Sequence, residues 1–168
     1  MKNWTVISPS SDTTLYVAAG DGGICHISFT NEIPREWTRN DSQPLLREAA
    51  RQLKLYFGHR LKEFDLPLEM NGTPFQRKVW DTLLGIPYGQ VISYAQLADR
   101  VGSPRGFRAV GAANGKNPIP IIVPCHRVIN TGGGLGGYSC GLAYKRRLLE
   151  LEGVRVDALR QLSFAAVG

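Results

Sequence analysis

The sequence predicts an α+β fold in which a small antiparallel sheet with one helix precedes a mostly helical region containing a helix-turn-helix. Short β-rich runs alternate with polar turns in the first thirty residues, helical apolar spacing begins near residue 43, and two helix-start signals follow residue 70. With 168 residues, 43% of them hydrophobic, the chain can form one domain or two small ones. We expect an N-terminal scaffold domain over residues 1–70 and a C-terminal domain over residues 71–168.

Three strand-like runs and one amphipathic helix predict the N-terminal domain. The runs are Trp4 to Ser8, Thr14 to Ala18 and Ile24 to Phe29, separated by turns rich in Ser, Asp and Gly. Between Gln43 and Phe57 apolar side chains recur every three or four residues, which is typical of a helix with one buried face. The segment Phe64 to Leu68 is predicted to return to the sheet.

The first helix of the C-terminal domain is predicted from Thr73-Pro74-Phe75-Gln76. This segment combines an N-cap residue, a proline at the first helical position and a glutamine three residues after the cap. A turn at Pro87-Tyr88-Gly89 ends the helix. Its apolar residues are expected to form one buried stripe; they are Phe75, Val79, Trp80, Leu83 and Leu84.

The next two helices predict a helix-turn-helix. Ser93-Tyr94-Ala95-Gln96 repeats the capping pattern and begins a helix that ends near Arg100, and a glycine-containing turn leads to a second helix from Arg105 to about Asn114. The second helix is rich in small residues, which leave few side chains able to read base edges in a major groove but allow close approach to a minor groove. These residues are Gly106, Ala109, Gly111, Ala112 and Ala113.

Charge and composition restrict the classes of partner and location. The formal net charge of +6 favours a polyanionic partner, although such an excess is also typical of an ordinary soluble protein. The N-terminus lacks an apolar signal region and no run of eighteen apolar residues occurs, so we expect a cytoplasmic protein without a membrane partner. The three cysteines include no CxxC pair, so neither a disulfide framework nor a zinc site is expected, and no metal or cofactor is predicted.

The residues Pro124-Cys125-His126-Arg127 predict chemistry at sulfur. They lie between an apolar run and the glycine-rich loop Asn130 to Ser139. An imidazole can convert a thiol to a nucleophilic thiolate, directly or through one water. Since adjacent residues cannot share one face of a helix or strand, we expect a water bridge. The alternative is that Cys125 is only a small buried apolar residue.

A final helix is predicted from Leu142 to Glu152 and ends at Gly153. Its leucines supply apolar surface, and Lys145, Arg146 and Arg147 are expected to form its solvated face.

Residues 117–129 resemble the active-site signature of the O6-alkylguanine-DNA alkyltransferases, DNA repair proteins that are consumed by their own reaction. Agreement in residue type extends over thirteen consecutive positions and continues through Thr73 to Tyr94, Arg108 to Gly111 and Tyr138 to Gly153. Before Thr73 only the layout is similar. The resemblance implies an RNase H-like N-terminal domain and double-stranded DNA containing O6-alkylguanine as the partner.

The resemblance also implies roles for individual residues. Cys125 is the nucleophile, His126 its base, Glu152 the carboxylate that orients the imidazole, and Asn117 holds the backbone near the cysteine. Tyr94 protonates or polarises the departing guanine, and Arg108 fills the gap left in the DNA by a flipped nucleotide. The remaining assignments are DNA contacts by Ala109, Gly111, Ala112, Arg127 and Tyr94, and a substrate pocket formed by Tyr138, Ser139 and Val128.

The implied reaction is an irreversible transfer of one alkyl group from O6 of guanine to Cys125 of a protein acting as a monomer. Cooperative binding along DNA and activity on O4 of thymine are left open. The alternatives are a damage sensor that binds alkylated DNA without reacting, a thiol hydrolase and a helix-turn-helix regulator. Cys140 stands where many relatives have glycine, and we expect it to slow the reaction of bulky adducts.

Overall fold

The computed structural model describes residues 1–158 of the chain. The backbone forms two compact units, one of Met1–Asn71 with Pro118–Pro120 and the other of Gly72–Asn117 with the described residues from Ile121 onward. The predicted α+β class is confirmed. The last ten residues of the predicted C-terminal domain lie outside the described residues. In the described part of the chain, no helix is both long and apolar enough to cross a membrane.

The first unit is a four-stranded sheet with one helix. Strands β1 (Asn3–Ser10), β2 (Thr13–Ala19), β3 (Ile24–Ser28) and β4 (Thr38–Arg39) lie in the order β3-β2-β1-β4. The first three strands pair antiparallel, as predicted, whereas β4 pairs parallel to β1. β4 was not predicted because its two exposed residues carry no apolar pattern.

Helix α1 (Pro44–Phe57) packs on β1 and buries one apolar face. The prediction that residues 64–68 return to the sheet was largely wrong, since only Leu68 pairs, through a single parallel bridge to Ile24. The buried side chain of Gln52 instead holds this segment. Its Nε2 donates to the Asp65 carbonyl and its Oε1 accepts from the Asp65 N–H, both at 2.9 Å.

Within residues 1–158, the second unit contains four α-helices and a two-stranded parallel sheet. Its elements in chain order are α2 (Pro74–Leu83), β5 (Ile92–Ser93), α3 (Tyr94–Val101), α4 (Phe107–Gly115), β6 (Val128–Ile129) and α5 (Leu142–Leu151). Both predicted capping boxes are present, because Thr73 and Gln76, and likewise Ser93 and Gln96, exchange side-chain and backbone hydrogen bonds. The first three helices, α2, α3 and α4, pack against one another.

Helix α2 buries a narrower face than the sequence predicts. Val79, Trp80 and Leu83 are buried, and the Trp80 indole N–H donates to the Ala113 carbonyl of α4 at 2.8 Å. Phe75 and Leu84, predicted to belong to the same stripe, are 36% and 44% exposed. They lie at the two ends of the helix, beyond the area that α3 and α4 cover.

Candidate active site

Cys125 begins a short 3-10 turn, Cys125–Arg127, that leads directly into β6. Its side chain is only 3% exposed. Two asparagines hold the backbone around it. Asn117 Nδ2 donates to the Val123 carbonyl at 2.7 Å, and Asn114 Nδ2 donates to the Cys125 carbonyl at 3.4 Å. The loop that carries the thiol is therefore fixed by buried amide side chains.

The same loop contains a strained residue. Ile121 has a φ of 76°, a left-handed conformation that β-branched residues rarely adopt. Such strain costs about 1–3 kcal/mol and persists only where surrounding contacts impose it. Here the side chain of Ile121 is buried, and the hydrogen bond from the Asn117 side chain to the Val123 carbonyl spans the turn that contains Ile121. Packing and this amide contact therefore impose the conformation that leads to Cys125.

His126 is fully buried and bound to a carboxylate. Its Nε2 lies 2.8 Å from Glu152 Oε2 and 3.2 Å from Oε1. A proton on Nε2 satisfies Glu152 and leaves the lone pair of Nδ1 available as a base. Within residues 1–158, Nδ1 has no hydrogen-bond partner. The predicted contact between His126 and Glu152 is present, and no direct hydrogen bond links Nδ1 to Cys125.

Burial controls the protonation states of the pair. It raises the pKa of the Cys125 thiol to about 11, although hydrogen bonds from Asn117 and Tyr138 and the nearby Lys145 ammonium act to lower it. Burial also lowers the pKa of His126, despite the opposing effect of Glu152. At neutral pH the site therefore holds a thiol and a neutral imidazole.

Arg127, predicted to contact DNA, makes its side-chain hydrogen bonds inside the protein, and a contact with DNA stays a prediction. It is 6% exposed, its Nε donates to Glu152 Oε1 at 2.6 Å, and its Nη1 donates to the Ile86 carbonyl at 2.6 Å. Burial would raise the pKa of Glu152, but hydrogen bonds and charges from His126 and Arg127 hold it below its usual value. Arg127 thus keeps the carboxylate ionised beneath the imidazole.

Lys145 was predicted on the solvated face of α5, and this was wrong. The side chain has no exposed surface, and its Nζ donates to the carbonyls of Leu135 and Gly137 in the glycine-rich loop. Nζ also lies 5.8 Å from the centre of the Tyr94 ring. Burial lowers the pKa of Lys145 to about 8, although the nearby Cys125 acts to raise it. An ammonium therefore holds one wall of the site.

A cavity of about 370 Å³ adjoins this loop. Its lining combines residues of α3, α4 and the glycine-rich loop: Tyr94, Gly111, Asn114, Gly115, Gly137, Tyr138 and Ser139. The Tyr94 hydroxyl faces the Gly137 carbonyl at 3.5 Å, and burial raises its pKa, so the phenol stays protonated at neutral pH. We call this space the thiol-side cavity, because one of its lining residues, Asn114, donates to the Cys125 carbonyl and another, Tyr138, acts to lower the pKa of the Cys125 thiol.

Tyr138 and Ser139 line the thiol-side cavity, whereas Val128 does not. Val128 has no exposed surface, and it pairs with Ile92 between β6 and β5. Its assignment to the substrate pocket stays a prediction.

Helix α4 presents its small residues in two directions. Arg108, Ala109 and Ala112 are exposed, whereas Gly111 faces Tyr94, and a Cβ at position 111 would lie 3.7 Å from the ring. The exposed face is smooth and carries a cation, as a surface for close approach to DNA requires. No structure of a complex tests these DNA contacts for this chain, and they stay predictions.

Sequence reasoning missed two residues of the site, Asn114 and Lys145. Asn114 lies on the buried face of α4 with Val110 and Ala113, so a polar residue at helical spacing was the available signal. Lys145 had no such signal, because it belongs to a run of three cations in which Arg146 is exposed.

Among residues 1–158 no group of three or more His, Cys, Asp or Glu side chains is arranged to hold a metal ion.

Two family models match the chain. Residues 5–70 match the ribonuclease-like domain of 6-O-methylguanine DNA methyltransferase, and residues 74–154 match the DNA binding domain of the same proteins.

Relatives and a solved structure agree with these matches. A methylated-DNA--protein-cysteine methyltransferase of Mycobacterium bovis is 56% identical over 92% of this chain and 93% of its own length. One from Methanosarcina barkeri is 47% identical over 82% of this chain and 89% of its own length. The crystal structure of Mycobacterium tuberculosis OGT in complex with DNA superposes with a TM-score of 0.79 and 42% identity, covering 94% of this chain and 98% of that one. The chain therefore belongs to the 6-O-methylguanine DNA methyltransferase family.

Proposed function

We propose that this protein repairs DNA by transferring an alkyl group from O6 of guanine to Cys125, once per molecule. The observation that carries the proposal is the buried array of Cys125, His126 and Glu152, in which Nδ1 of His126 is the one ring nitrogen left to accept a proton. The thiol-side cavity next to this array is large enough to hold a small-molecule ligand, and we assign the alkylated base to it.

The chemistry is a displacement at the alkyl carbon. The thiol proton passes to His126 through one water, the sulfur attacks the alkyl carbon, and the bond from that carbon to O6 breaks. Glu152 stabilises the imidazolium that forms. The Tyr94 phenol, which is protonated at neutral pH, donates a proton to the departing guanine. The imidazolium then returns its proton to the Tyr94 phenolate through solvent, so that overall the thiol hydrogen is replaced by the alkyl group and guanine gains one hydrogen.

The product at Cys125 is a thioether. It lacks the electrophilic carbonyl through which water hydrolyses a thioester, so the alkyl group stays on the protein. A single turnover follows, and the hydrolase alternative is disfavoured.

Helix α4 is the element that contacts DNA next to the site. We propose that the helix-turn-helix of α3 and α4 lies in the minor groove, that the alkylated nucleotide is flipped into the thiol-side cavity, and that Arg108 fills the gap. Flipping an alkylated, poorly paired base requires less unstacking and unpairing energy than flipping a normal one, which contributes selectivity before any chemistry. We expect the protein to act as a monomer in the cytoplasm.

Intact-protein mass spectrometry tests this function. The protein is mixed with a duplex carrying one O6-methylguanine, and peptide mapping locates the modified residue. We expect one added methyl group, on Cys125 only, and repair that stops at one lesion per protein. Cys125→Ser should gain no mass, whereas Cys140→Ser, which removes the other thiol near the site, should still be methylated.

Other results would support other functions. Binding of the duplex without a gain in mass would support the damage sensor. Repair of many lesions per protein, with release of product, would support a hydrolase. Absence of both binding and mass change would refute the proposal entirely.

A further inference from the structure

Phe107 is an exposed aromatic side chain for which the proposed reaction has no use. It is the first residue of α4 and 52% exposed, which is unusual for a phenylalanine. Its neighbour in the sequence is Arg108, the residue assigned to the gap in the DNA. In the same unit Phe75 and Leu142 are also exposed, but they lie on α2 and α5.

Phe107 lines a second cavity, of about 440 Å³, which we call the flanking cavity. Its lining residues are Tyr94, Ala95, Phe107, Gly111, Asn130 and Thr131. Tyr94 and Gly111 also line the thiol-side cavity. The two spaces therefore lie side by side with Tyr94 as the shared wall.

The character of the flanking cavity indicates its occupant. Phe107, Ala95 and the Tyr94 ring give it an apolar lining suited to a flat group, and Asn130 and Thr131 add polar contacts at its edge. Exposed cations on the neighbouring turn and helix, Arg105 and Arg108, favour a polyanion. A nucleobase attached to a phosphate backbone has both properties, because every base has a face that stacks on an aromatic ring.

We propose that Phe107 is a further DNA-contact residue, whose ring stacks on the nucleobase next to the flipped guanine on the same strand, within the flanking cavity. The proposal rests on the proposed function, since it takes the alkylguanine in the thiol-side cavity as the neighbour. Arg108 occupies the gap itself, and stacking on Phe107 adds a contact to the adjacent base that becomes available once the guanine has left the helix. It therefore favours the flipped state of the DNA over the stacked one.

Rates on two substrates test the proposal. The second-order rate of alkyl transfer to Cys125 is measured for O6-methylguanine in a duplex and for free O6-benzylguanine, and the ratio of the two rates is compared between variants. We expect Phe107→Ala to lower the duplex-to-free-base ratio about fivefold or more, the loss typical of one base stacked on an aromatic ring. Phe107→Trp should retain the ratio. Phe75→Ala, which removes an exposed phenylalanine from α2, should change neither rate.

A binding measurement tests the same contact without chemistry. Cys125→Ser protein is bound to a duplex with 2-aminopurine beside the O6-methylguanine, whose fluorescence is quenched when the base is stacked. We expect the complex of the double variant Cys125→Ser with Phe107→Ala to fluoresce more brightly than the complex of Cys125→Ser alone. An unchanged rate ratio together with unchanged fluorescence would overturn the proposal. An equal fall in both rates would also overturn it, because the flanking cavity would then hold the substrate base itself. If the wild-type protein transferred no alkyl group, the proposed function would fail, and the fluorescence would still decide whether Phe107 stacks.

Discussion

Glu152 both stabilises the fold, by pairing with the buried Arg127, and supports the reaction, by stabilising the His126 imidazolium. Replacing it with glutamine is predicted to weaken both effects. The Glu152 side chain has no exposed surface, and its carboxylate accepts hydrogen bonds from His126 and from Arg127. Hydrogen bonds to charged groups contribute about 1.5–3 kcal/mol each. Removing one partner of a buried ion pair destabilises a protein by about 3–5 kcal/mol, because the remaining charge is left uncompensated. We therefore expect Glu152→Gln to lose about 3–5 kcal/mol of unfolding free energy.

The double variant Arg127→Met with Glu152→Gln separates stability from chemistry. It removes both charges, so no buried cation is left unpaired, and we expect it to recover most of the unfolding free energy measured in urea. Transfer from free O6-benzylguanine should stay about 10²-fold or more below wild type in both variants, because a neutral amide cannot stabilise the imidazolium. A double variant that reacted at the wild-type rate would refute the proposed role of Glu152. So would a single variant with unchanged stability and rate.

Three further predictions follow from the geometry of the site. Lys145→Met should raise the pKa of the Cys125 thiol further above about 11, because it removes a cation that lowers this pKa. The pH dependence of Cys125 labelling by iodoacetamide should therefore shift to higher pH. Arg146→Met, on the exposed side of α5, should leave that pH dependence unchanged. Asn117→Ala should destabilise the fold by about 1–3 kcal/mol in urea unfolding, since the buried carbonyl bound at 2.7 Å loses its donor, and an unchanged midpoint would contradict this. Cys140→Gly should react faster with O6-benzylguanine than wild type; equal rates would remove Cys140 as a restriction on bulky adducts.

Local signals in the sequence determined where helices α2 and α3 begin and indicated Cys125 as the reactive residue. The capping boxes at Thr73 and Ser93 were predicted correctly because each depends on residues three positions apart. The Cys125 and His126 pair was likewise evident as a nucleophile beside a base. The contact from His126 to Glu152 was expected only through the family resemblance, since nothing in the spacing of residues 126 and 152 indicates it.

Tertiary structure alone decided which charged residues lie inside the protein. Arg127 and Lys145 resemble ordinary surface cations in the sequence, but packing buries both and aims them at Glu152 and at the carbonyls of the glycine-rich loop. A charged side chain is buried only where hydrogen-bonding or oppositely charged groups surround it, and here these groups are distant in the sequence. The local spacing of residues therefore does not indicate them. The exposure of Phe107 was decided in the same way, by which helices cover α4 and which leave its first turn open.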